Sequence, residues 1–90
     1  MKFETLPGGD LVRQGIEDLL IGAESIPALL VSIGAPRLQR LVRDFPKALP
    51  SPEHRLYQRL AQAAPDSAHS RYNALLRRLV SFERAAECGD

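Results

Sequence analysis

The chain is poor in the residues that usually announce chemistry. Its 90 residues include one cysteine, Cys88, one methionine and no tryptophan. A lone cysteine rules out an internal disulfide framework and fits a reducing compartment. No apolar run is long enough to span a membrane, because Leu19 to Pro36 is broken by Gly22, Glu24, Ser25 and Pro27. Residues 1–10 hold no apolar leader core, so a cytoplasmic protein without a signal peptide is expected. The formal net charge of +1 excludes a uniformly basic nucleic-acid binder. Strand-like alternation and internal repeats are also lacking.

What is present is aliphatic and helical. Hydrophobic residues form 44% of the chain, ordinary for a globular domain and too many for general disorder. The length suits one domain with a thin core. Charge is divided unevenly. Residues 1–35 carry Lys2 and Arg13 against Glu4, Asp10, Glu17, Asp18 and Glu24, a net charge of −3. Residues 36–90 carry ten Lys and Arg against six Asp and Glu, a net charge of +4. Solvated helix faces of unequal charge account for this most simply; an internal electrostatic fit or a charged partner is the sharper alternative.

Residues 1–9, ending in Pro7-Gly8-Gly9, read as a flexible arm, with Phe3 and Leu6 as its anchors if it docks. Residues 10–88 form the domain. Asp10 is placed to cap a first helix bearing Val12, Ile16, Leu19 and Leu20 on one face, ended by a left-handed Gly22. Ser25 caps a second helix that tolerates Pro27 in its first turn. Its Ile26, Leu29, Leu30 and Ile33, widened by Ala28 and Val31, make it apolar on several sides, which predicts central burial. Gly34 ends it, and Pro36 opens a third helix with Leu38, Leu41, Val42 and Phe45 at i, i+3, i+4 and i+7. Pro46, Pro50 and Pro52 keep the following segment extended, anchored by Phe45 and Leu49. Ser51 caps a fourth helix whose Leu56, Tyr57, Leu60 and Ala64 face inward. Pro65 ends it, Asp66 or Ser67 caps the fifth, and the short connection makes the last two antiparallel neighbours. The expected fold is an all-α compact bundle of four to five helices with a long C-terminal helix.

Sites were sought against this frame. A helix-turn-helix reading of the second and third helices fails, because Arg40 and Arg43 stand where a recognition helix buries apolar residues. Arg37, Arg40 and Arg43 line the outside of the third helix, and Arg77 and Arg84 the outside of the fifth. Arg71 and Arg78 border the fifth helix's apolar stripe, so they are expected to pair with carboxylates such as Glu17, Asp18 or Glu83. Together these seven arginines are the candidate contacts for phosphate or a protein partner. Solvated helix faces explain them more economically, since no exposed aromatics are interleaved for base stacking.

His54 and His69 lack metal-ligand spacing, and Ser51 and Ser67 sit where caps sit. Cys88, close to Glu83 and Glu87, lacks the electropositive surroundings that activate a thiol. No catalytic residue, metal or cofactor is therefore expected. The apolar excess of the second and fifth helices points instead to a protein-interaction module that self-associates, with nucleic-acid binding through the arginines as the alternative. Leu79, central in the fifth helix's stripe, should cost about 2–5 kcal/mol on truncation to Ala if that face is core. Ala68-His69-Ser70-Arg71-Tyr72-Asn73-Ala74-Leu75, Phe82-Glu83-Arg84-Ala85 and, upstream, Ile33-Gly34-Ala35-Pro36-Arg37-Leu38 resemble a group of short, uncharacterised bacterial proteins. That resemblance implies a bacterial, cytoplasmic setting and no particular chemistry.

Overall fold

Ser25 starts the helix around which the others pack. Its hydroxyl accepts the Ala28 amide at 3.1 Å, and Pro27 lies in the first turn, where no amide is needed. In the computed structural model, which describes residues 5–88, this helix is α2 (Ile26–Ile33). Ala28, Leu29, Leu30, Val31 and Ser32 are all buried. Five consecutive buried residues exceed one 3.6-residue turn, so α2 is enclosed on every side. Around it stand α1 (Gly9–Leu20), α3 (Ala35–Leu41), α4 (Pro52–Ala63) and the 21-residue α5 (Ala68–Cys88). The fold is the expected all-α bundle with a long C-terminal helix, and there is no strand among the described residues.

One core joins these elements. Val12 of α1, Leu30 of α2, Leu38 of α3, Leu60 of α4 and Phe82 of α5 are all fully buried in it. Each such side chain contributes roughly 1.5–3 kcal/mol over its exposed state. α1 packs tightly on α2 at Gly15, where a β-carbon would strike the Pro27 carbonyl and lie 2.7 Å from Val31 Cγ1. On the other side of α2, the buried Ser32 hydroxyl donates to the Ala28 carbonyl at 2.8 Å and accepts the Leu49 amide at 3.0 Å. That bond pins the proline-rich segment across α2, and Phe45 and Leu49 pack on the core as anchors. α4 and α5 are joined by a 3-10 turn (Pro65–Ser67), and Tyr57 meets Tyr72 edge to face at 5.6 Å.

The helix ends differ from expectation in three places. α1 begins at Gly9 behind a left-handed Gly8 with no side-chain cap, so Asp10 falls inside the first turn, where its carboxylate pairs with Arg78. α3 stops at Leu41: Val42 is extended and Asp44 has φ 59°, so Phe45 reaches the core from the loop. Ser51 stands at the N-terminus of α4 in a left-handed conformation, without a side-chain capping bond. Gly22 adopts the expected left-handed conformation after α1, with φ 76°. Of the N-terminal arm, Phe3 lies outside the described residues, while Leu6 packs on the core and its carbonyl accepts the Gly9 amide at 3.0 Å.

Candidate functional site

Folding separates the seven arginines into two groups. Arg37 is drawn from the first turn of α3 onto α5, where it donates to Glu83 at 3.2 Å and to both oxygens of Glu87. Arg78 pairs with Asp10 at 3.0 Å and ties α5 to the first turn of α1. These two are structural clasps. Arg40 is exposed and contributes electrostatically at Glu87. Arg43, Arg71, Arg77 and Arg84 are exposed and make no ion pair or hydrogen bond among the described residues. Arg71, a border arginine expected to be paired, is thus without a carboxylate, and Arg78 has found Asp10 rather than Glu17, Asp18 or Glu83.

Glu83 is the one buried carboxylate among the described residues, only 3% exposed. Burial pushes its carboxyl above the ordinary value, partly offset by the positive charge of Arg37. Glu87, at the surface, is held below the ordinary value, chiefly by its hydrogen bond from Arg37. The clasp closes over Gly34. A β-carbon there would lie 2.8 Å from Glu83 Oε2 and 3.1 Å from a Leu79 methyl, so the α2–α3 junction can approach α5 only as glycine.

That close approach leaves a groove rather than a seal. Ile33, Gly34 and Pro36 line it from the α2–α3 junction and Leu76, Leu79 and Val80 from α5, with Arg37 and Glu83 also in its lining. A second depression continues over the top of α5, where Leu76 and Val80 recur beside Asn73, Arg77, Ser81 and Arg84. Leu76 and Val80 therefore form an apolar ridge with unpaired arginines beside it. Val80 is 36% exposed, although it belongs to a helix whose other face is core. Such an arrangement can hold an apolar side chain and attract negative charge at its rim.

Sequence reasoning assembled the arginines but missed the Arg37 clasp. A signal existed: Glu83 follows Leu79 by four residues and so belongs to the apolar side of α5, while Glu87 lies one turn further. His54 and His69 are exposed, and His69 meets only Asn73, at 3.2 Å. Cys88 is exposed at the last position of α5. Among the described residues, no three His, Cys, Asp or Glu side chains are grouped to hold a metal, and no helix is long and apolar enough to cross a membrane. No protein-family model matches the chain, and no curated protein or solved structure matches it.

Proposed function

We propose that the chain is a small cytoplasmic protein-interaction module that self-associates through the outer face of α5. The observation that carries this is the open ridge and groove of Leu76 and Val80, flanked by Ile33, Pro36 and the unpaired Arg77 and Arg84. The apolar excess of α2 lends no support, because the monomer core absorbs it. An exposed aliphatic ridge beside charge is what a weak protein interface uses, and a second copy is the partner always present. No catalytic role or cofactor belongs to this reading, and the bacterial setting enters with it through the resemblance of α5. Light scattering after gel filtration tests it over a concentration series: the mean mass should rise above that of one chain. A strict monomer at every concentration would sink it.

The second reading, nucleic-acid binding, is favoured by Arg43, Arg71, Arg77 and Arg84 standing without carboxylates. Retention on heparin at low salt should then fall steeply as salt rises, and charge reversal at Arg77 and Arg84 should weaken binding to all sequences alike. Arg37 and Arg78 are engaged with carboxylates and supply less of that field.

A further inference from the structure

Glu83 is a buried carboxylate with little to hold its charge, at 3% exposure. Among the described residues only its Oε1 receives a hydrogen bond, from Arg37 at 3.2 Å. That guanidinium is shared, since its other two nitrogens donate to Glu87. Two negative charges thus meet one positive charge. Arg40, the next cation along α3, acts on Glu87. α2 carries no charged residue, and the charges that α1 and α4 direct at α5 meet other groups: Asp10 pairs with Arg78, and Glu53 acts on Tyr72. The second oxygen, Oε2, faces the α2–α3 junction, where a β-carbon on Gly34 would lie 2.8 Å from it.

The element that covers Glu83 is lightly held. α3 has seven residues, too few for a helix to persist without packing, and it buries only Ala35 and Leu38. Beyond Leu41 the chain is already extended at Val42. We propose that α3 and its junction with α2 form a pH-sensitive latch on α5, held closed while Glu83 is protonated and loosened when it ionises and draws water into the contact. Burial raises the Glu83 carboxyl above 4.5, so the closed form binds the proton more tightly than the open one. Closure is therefore strongest below 4.5 and weakens as pH rises through the closed-state value. Ile33, Gly34 and Pro36 line the groove from this junction, so loosening widens it. The latch belongs to the single chain and stands or falls independently of self-association.

A pH titration of the full chain by carboxyl and methyl NMR tests it. The Glu83 carboxyl carbon should titrate above 4.5. The methyls of Ile33, Leu79 and Val80 should shift with the same midpoint, while those of Val12 and Leu60 in the core hold still. Amide exchange in α3, corrected for its intrinsic pH dependence, should quicken through that midpoint. Glu83→Gln keeps the shape without the charge and should leave methyls and amides flat. Glu87→Gln gives Arg37 to Glu83 alone and removes a neighbouring negative charge, so the midpoint should move to lower pH. A Glu83 carboxyl that titrates at or below 4.5 overturns the latch, and so do methyls and α3 amides that ignore its titration. A midpoint unmoved in Glu87→Gln also overturns it. If Val12 and Leu60 move with the rest, the transition is global unfolding and there is no latch.

Discussion

α2 and α5 are both rich in aliphatic residues, yet the fold uses them oppositely. α2 has eight residues, five of them consecutive and buried, and reaches the groove only with its last residue, Ile33. α5 has 21 residues, of which only Ala68, Leu79, Phe82 and Glu83 are buried. The difference comes from placement rather than hydropathy. A short helix is covered on every side by four neighbours, whereas a helix about 31 Å long outruns a core of this size and keeps an outer face. The buried Glu83 sharpens the contrast: α5 carries a charge into the interior and needs Arg37 from α3 to hold it there.

The largest expected effects separate the two helices by stability. Leu30→Ala in α2 should cost about 2–5 kcal/mol, read from urea unfolding. Leu79→Ala should fall in the same range, because Leu79 is 4% exposed and belongs to the inner side of α5. Gly34→Ala comes next, at about 1–3 kcal/mol, since the new methyl meets Leu79 and the Glu83 carboxylate. A neutral outcome for Gly34→Ala would mean that the α3–α5 clasp yields freely.

A smaller effect concerns pH. Folding raises the Glu83 carboxyl above its ordinary value of 4.5, so between the two values the folded chain binds more protons than the unfolded one. Its contribution to stability is full below the ordinary value and is lost as pH rises through the folded value. Glu87 runs the other way: folding lowers it, so its contribution is present above 4.5 and is lost as pH falls through the lowered value. Glu83→Gln should therefore flatten the decline in melting temperature as pH rises above 4.5. An unchanged slope in that variant would remove Glu83 as its source. The smallest effect belongs to the outer face: Val80→Glu should change monomer stability by no more than about 0.5 kcal/mol.

Much of this contrast was legible in the residues. The all-round apolar pattern of Ile26 to Ile33 marked a central helix, and the Ser25 cap with Pro27 placed its start. The 3.6-residue period of Leu75, Leu79 and Phe82 marked the inner stripe of α5. The long-range pairings were not legible. Asp10 looked like a helix cap because capping is local, but the helix starts one residue earlier and the Asp10 carboxylate meets Arg78, 68 positions away. Arg37 looked like one of three outward arginines until the single-residue α2–α3 junction at Gly34 brought it over Glu83. Gly15 gave no sign of its role, since only the packed pair reveals that α1 needs a missing side chain against Pro27. The groove was hidden for the same reason: Ile33 and Pro36 join Val80 only after the chain has turned.

The most direct measurement takes mass and melting temperature on the same samples of wild type and Val80→Glu across a concentration series. The wild type should exceed the mass of one chain as concentration rises, while Val80→Glu stays at one chain and melts within a few degrees of the wild type at low concentration. Equal masses for the two chains at every concentration would show that the outer face of α5 is not the interface.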